Sequence, residues 1–145
     1  MTSRAMILTG RVLSGFVALF ILGASAAPKL LGMPVAEQTL AALGWPPGYA
    51  VMIGLIEVIA TLLYLVPRTS LLGALVMTAL LGGAIATHVR AGSPLFSHTL
   101  FGVYLGLCLW GGLWLRDPAL RALLPYRKKP VSAASAAPDL GIPPA

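Results

Sequence analysis

The chain has 145 residues, of which 58% are hydrophobic and only 10% are charged. A soluble domain carries about 25% charged residues, so this chain has too few to cover a soluble globule. Its net charge of +6 comes from basic residues between the apolar runs and near the C-terminus, without the aromatic-interleaved basic face of a nucleic-acid-binding protein. Attraction to anionic lipid headgroups explains the same charges, which makes the lipid bilayer the expected partner.

Four apolar runs are predicted to be membrane-spanning helices, because a span needs about 20 mainly apolar residues and a helix satisfies its own backbone in lipid. In chain order they cover residues 6–27, 48–66, 69–87 and 98–115. The first run also resembles a secretory signal, with Ala24-Ser25-Ala26 as an A-x-A cleavage site. Since three more apolar runs follow, we expect the first helix to be retained. The expected fold is all-α, a four-helix transmembrane bundle.

The basic residues are divided unevenly between the two sides of the predicted spans. One side holds eight of them, and the other holds only Lys29 and Arg90. Because positive residues collect on the cytoplasmic side, we expect both termini in the cytoplasm. The connection between the first two spans is predicted to contain an interfacial helix at about residues 34–43, and residues 125–145 are predicted to form a disordered tail after a membrane domain of residues 1–124.

Small residues recur inside the third and fourth spans. They include Gly73, Gly82, Gly83, Gly102, Gly106, Gly111 and Gly112. Such residues let membrane helices approach each other closely, so a compact bundle is the direct expectation. Homo-oligomerisation through one of these faces stays open at this stage.

Glu57 is the most informative residue for function. It is the tenth residue of its predicted span, about 13 Å from one end and therefore near the midplane. A carboxylate there costs about 3 kcal/mol, so it must face the bundle interior and be protonated or paired. Thr78, Tyr104 and Cys108 are predicted at similar depth and complete a candidate buried polar site. Either Glu57 is protonated and hydrogen-bonded to Thr78 or Tyr104, or it serves a proton relay or a ligand.

A second candidate site lies at the opposite ends of the helices from the termini, and consists of Lys29, His88, Arg90 and His98. Two histidines can ligate a haem or a metal, but no third ligand has a standard spacing, so no metal site is predicted. The alternatives are a hydrogen-bonded polar rim or a site for an anionic or quinone-like headgroup. The single cysteine, Cys108, excludes an intramolecular disulfide and a CxxC pair.

Five segments stand out as a set: Pro28-Lys29-Leu30-Leu31-Gly32, Gly54-Leu55-Ile56-Glu57, Tyr64-Leu65-Val66-Pro67-Arg68, Gly82-Gly83-Ala84-Ile85-Ala86-Thr87-His88-Val89-Arg90 and Trp110-Gly111-Gly112-Leu113-Trp114-Leu115-Arg116-Asp117. In these segments the chain resembles the DoxX-like family of small bacterial membrane proteins, over about residues 11–124. The resemblance implies a four-helix fold in the bacterial inner membrane. Some similar proteins are subunits of a thiosulfate:quinone oxidoreductase, and others are described as membrane tethers for soluble redox or thiol-handling proteins.

The sequence therefore favours an accessory or anchoring subunit of a membrane redox or sulfur-related complex. It would have a soluble redox protein as its partner and no catalytic activity of its own. The first alternative is an oxidoreductase component that binds a quinone or another small hydrophobic ligand beside Glu57. Quinone is then the one cofactor to expect. The second alternative is a small proton-coupled transporter, although no inverted repeat is visible.

Overall fold

The computed structural model describes residues 3–123, and every regular element in that part of the chain is helical. The helices are α1 (Ser3–Phe20), π1 (Ile21–Ala26), α2 (Ala27–Leu30), α3 (Pro34–Ala42), α4 (Tyr49–Leu65), α5 (Ser70–Arg90), π2 (Leu95–Thr99), α6 (Phe101–Arg116) and α7 (Pro118–Leu123). The π-helical segments π1 and π2 adjoin α2 and α6, so α1, π1 and α2 form one long helix. The all-α prediction is confirmed for these residues, and the predicted tail, residues 125–145, lies outside them.

Three helical stretches among residues 3–123 are long and apolar enough to cross a membrane. They are Arg4–Leu30, Ser70–Arg90 and Leu95–Arg116. The remaining predicted span, residues 48–66, corresponds to α4, a shorter apolar helix of 17 residues. At 1.5 Å per residue α4 is about 25 Å long, somewhat less than the hydrocarbon thickness of about 30 Å.

Two helices continue beyond their predicted ends. The first runs to Leu30 instead of residue 27, and α5 runs to Arg90 instead of residue 87. A proline inside a helix removes a backbone donor and normally breaks the bonding pattern. Here π1 ends two residues before Pro28, and a π-helical segment is a known way to change that pattern without ending the helix. Consequently Lys29 and His88 lie on helices, whereas the sequence pattern predicts them in or beside loops.

The long helices form a ring in which each packs against two neighbours. The α1–π1–α2 helix contacts α6 along α1 and contacts α4 along π1 and α2, whereas α5 packs between α4 and α6. The core inside the ring is apolar and includes Val17, Ile21, Tyr64, Met77 and Leu109. The short helix α3 packs against α2 and α4 and is followed by Gly44, whose φ of +79° turns the chain away from the helix. It defines what we call the α3 end of the bundle.

The opposite end, which we call the turn end, contains the tight turn from α4 into α5. The helices approach most closely here: a Cβ atom on Gly73 would overlap the Tyr64 backbone, and one on Gly10 would lie 2.6 Å from the Arg116 nitrogen. Tyr64 links three helices, because its buried hydroxyl donates to the Leu109 carbonyl (2.8 Å) and accepts from Ser14 (2.8 Å). The turn end is therefore closed by backbone contacts and hydrogen bonds.

Candidate functional site

A cavity of about 680 Å³ occupies the α3 end of the bundle. All four long helices line it, and α3 covers part of it with Val35, Ala36 and Leu40. Along α5 the lining runs from Val76 to His88, which corresponds to about 18 Å of helix. Its volume lies within the range of about 300–1,000 Å³ that is typical of small-molecule sites.

The wall of this cavity contains an ion pair between Lys29 of α2 and Glu57 of α4. The Lys29 Nζ atom lies 2.9 Å from Oε1 and 3.1 Å from Oε2 of Glu57, and the two side chains are only 15% and 13% exposed. Ser25 of π1 joins the pair: its hydroxyl donates to Glu57 Oε1 (2.9 Å) and accepts from Lys29 Nζ (2.6 Å). Because opposite charges stabilise each other, the ammonium group of Lys29 offsets the free-energy cost of placing the charged Glu57 carboxylate in an apolar wall.

The hydrogen-bonding capacity of the pair is distributed unequally. The three N–H groups of Lys29 face the carboxylate of Glu57 and the hydroxyl and carbonyl of Ser25, so its donors are occupied. The Glu57 carboxylate has about four lone-pair positions and accepts from two groups, Lys29 and Ser25. The pair as a whole therefore has no net charge, and the Glu57 carboxylate can still accept a hydrogen bond from a ligand in the cavity.

The predicted partners of Glu57 do not contact it. Thr78 donates to the Ala74 carbonyl (2.7 Å) and accepts from the Trp110 indole (2.9 Å), on the α5–α6 side of the bundle. Tyr104 is 46% exposed, and neither it, Thr78 nor Cys108 lines the cavity. The expected hydrogen bond from Glu57 to Thr78 or Tyr104 is wrong, because equal depth in a span does not place two side chains on facing helix surfaces.

The predicted rim residues separate into three environments. Lys29 points into the cavity, as described above. His88 and His98 lie together, with ring centroids 5.7 Å apart, and their Nδ1 atoms contact the hydroxyls of Ser93 (3.0 Å) and Ser97 (2.8 Å). Arg90 is used elsewhere: it donates to the Leu43 carbonyl and so fastens the C-terminal end of α3 to α5.

The histidine pair also borders a second, smaller cavity, which we call the vestibule. It has a volume of about 410 Å³ and lies between α3 and the loop that connects α5 to π2. His88 and His98 line both cavities, so they stand where the vestibule meets the main cavity. Within residues 3–123, no group of three or more His, Cys, Asp or Glu side chains is arranged to hold a metal ion.

A comparison with known protein families identifies the chain. The family model described as the DoxX-like family matches residues 12–112. The chain belongs to the DoxX-like family. The matched region contains the Lys29–Glu57 pair and both histidines, and together with the long apolar helices it identifies a membrane protein. No curated protein and no solved structure matches the chain.

Two site residues of this DoxX-like protein do not stand out from the sequence. Ser25 is prominent there only as part of a cleavage motif, yet it bridges the ion pair. Its spacing from Lys29 is a usable signal, because residues i and i+4 share a helix face once the helix is known to continue. Trp45, whose position in sequence suggests only an interfacial anchor, lines the cavity.

Proposed function

We propose that this DoxX-like protein binds a small hydrophobic ligand with a polar head in the cavity at the α3 end. The observation that carries the proposal is the Lys29–Ser25–Glu57 cluster in the wall of a 680 Å³ cavity that is otherwise mostly apolar. Binding pockets for small molecules combine an apolar lining with a few polar groups that fix the orientation of the ligand. The polar cluster in an apolar cavity therefore favours the hypothesis of a quinone-binding protein over that of an accessory subunit.

The head group follows from the chemistry of the ion pair. Since the pair is neutral and its ammonium donors are occupied, it holds no attraction for an anion. The carboxylate of Glu57 retains an acceptor, so the matching head is a hydrogen-bond donor such as a hydroxyl group. A hydroquinone meets this requirement, and the corresponding quinone, which has only acceptors, meets it less well.

The proposal includes an orientation in the membrane. We place four helices across the bilayer, with α4 as a short span and the α3 end on the outer side of a bacterial inner membrane. The distribution of basic residues supports this arrangement, because Lys29 and Arg90 are the only basic residues among residues 3–123 that fall at the α3 end. The ligand site then lies in the outer half of the bilayer.

Binding is tested with the full-length protein in lipid nanodiscs under anaerobic conditions. The probe is trimethylhydroquinone, and the signal is the change in tryptophan fluorescence from Trp45, which a Trp45→Phe variant assigns. We expect the double variant Lys29→Met/Glu57→Leu to bind the probe at least tenfold more weakly than the wild type. Glu37→Gln is the matched control, because Glu37 is an acid outside the cavity and bonds to the backbone of Gly48.

The competing interpretations give different results. If the wild type does not bind trimethylhydroquinone and a soluble redox protein co-purifies in stoichiometric amount, the chain is an accessory or anchoring subunit. If the double variant binds as well as the wild type, the ion pair is not part of a ligand site. Neither result is compatible with the proposed function.

A further inference from the structure

Three of the four contact lines between neighbouring long helices are closed at the α3 end. Gly54 of α4 fits against the first helix, since a Cβ atom there would lie 3.0 Å from Lys29 Cβ. Gly102 of α6 fits against α5, where a Cβ atom would lie 2.8 Å from an Ile85 side-chain carbon. The first helix meets α6 through the rings of Phe20 and Phe101, whose centroids are 5.5 Å apart.

The fourth contact line, between α4 and α5, is closed at the turn end. There Gly73 touches the backbone of Tyr64. Three helical turns further along α5, Ala84 returns to the same side of the helix, and Gly83 lies about 80° around from Gly73. Both residues are exposed and line the cavity, and a Cβ atom on Gly83 would have no neighbour within 4 Å. At this level α5 therefore presents an open edge of the cavity, in contrast to the close contact at Gly73.

We propose that α4 and α5 part beside Gly83 and Ala84 and leave a lateral opening through which the cavity communicates with the lipid phase. Its ligand is then an amphiphile whose polar head binds at Glu57 and whose hydrocarbon tail extends between α4 and α5 into the surrounding acyl chains. This inference rests on the proposed function and names the class of ligand: a membrane-resident molecule with a long apolar chain and a hydroxyl head.

The chemistry of the surroundings supports such a tail. The lining next to the opening is formed by Ile53 and Ile56 of α4 and by Ala79 and Leu80 of α5, so a hydrocarbon chain would meet only apolar groups there. The polar side chains Gln38, Ser93, His88 and His98 lie elsewhere, in the lining of the vestibule. A tailless, water-soluble ligand would use the vestibule and would not need the opening.

Two adjacent glycines allow a matched test. Gly82 and Gly83 both lie on α5, and a Cβ atom added to either would meet only open space, but only Gly83 lines the cavity. The variants Gly83→Phe and Gly82→Phe are compared with the wild type in nanodiscs. The probes are trimethylhydroquinone and the same ring carrying a ten-carbon chain. Thermal unfolding, followed by labelling of Cys108 with a thiol-reactive dye, checks that each variant is folded.

We expect Gly83→Phe to weaken binding of the tailed probe at least tenfold and of the tailless probe less than threefold, with Gly82→Phe unchanged for both. If both probes bind the wild type and Gly83→Phe affects them equally or not at all, the lateral opening is refuted while the proposed function stands. If neither probe binds the wild type, the proposed function itself fails, and the inference fails with it.

Discussion

The Lys29–Glu57 pair allows a sharp prediction about stability, because removing one charge is expected to destabilise the protein far more than removing both. At 2.9 Å and an effective dielectric constant of about 20, the attraction between the two charges is about 6 kcal/mol. Desolvation of the two groups offsets most of this attraction. The pair as a whole is therefore expected to contribute little net stability, whereas an unpaired member would be expensive.

We expect Lys29→Met and Glu57→Leu each to lower the free energy of unfolding by about 3 kcal/mol. Full burial would give about 3–5 kcal/mol, and an exposed pair less than about 1 kcal/mol; side chains that are 15% and 13% exposed belong near the lower end of the first range. The double variant Lys29→Met/Glu57→Leu should lie within about 1 kcal/mol of the wild type, because it leaves no isolated charge. The coupling energy between the two sites is then about 5 kcal/mol or more.

The measurement is reversible unfolding in mixed micelles of dodecyl maltoside and dodecyl sulfate, followed by far-UV circular dichroism. The four proteins of the cycle give the coupling energy directly. Additive effects, with the double variant destabilised by the sum of the single ones, would show that the two charges do not depend on each other. Single variants within about 0.5 kcal/mol of the wild type would show that the pair is solvated like a surface salt bridge.

Other parts of the bundle yield predictions for the same assay. Tyr64→Phe should lower the free energy of unfolding by about 1–2 kcal/mol, because it leaves the Ser14 hydroxyl without its acceptor. Tyr104→Phe, at an exposed site, should change it by less than about 0.5 kcal/mol. Equal effects of the two substitutions would contradict the hydrogen-bond network at Tyr64. Gly73→Ala should lower the free energy of unfolding by about 3 kcal/mol or more, because the added Cβ atom overlaps the α4 backbone, while Gly82→Ala should leave it unchanged. A neutral Gly73→Ala would refute the close approach of the two helices. Arg90→Ala should accelerate amide hydrogen exchange in α3 but not in α4, because it removes the bond to the Leu43 carbonyl; unchanged exchange in α3 would mean that other contacts hold it.

Much of the fold follows from local features of the sequence. Long apolar runs predict α4 and α5 to within a few residues, and Pro34 and Gly44 bracket α3, because prolines and glycines act on the backbone where they stand. The continuation of the first helix through Pro28 is not predicted in this way. It depends on π1, and no composition signal distinguishes a π-helical segment from an α-helical one.

The candidate sites show the limit of reasoning from depth alone. The sequence correctly indicates Glu57 as a carboxylate that needs a partner, because the cost of an unpaired charge in an apolar environment is a property of the residue and its neighbours in sequence. The identity of the partner is a different matter. Lys29 lies 28 residues from Glu57 in sequence, and the sequence pattern predicts it at the rim site with the two histidines. Its side chain reaches Glu57 because the first helix continues past Pro28.

By itself, the sequence determined the helical class, the apolar character of the helices, the family, and the residues whose burial demands compensation. These depend on composition and on periodicity within single segments. Only the tertiary structure decided that Glu57 pairs with Lys29, that His88 and His98 line two cavities, and that Gly83 lies at an open edge of the larger one. These features depend on how the helices rotate and cross, which is set by close contacts between distant segments, such as Gly73 with Tyr64 and Gly54 with Lys29.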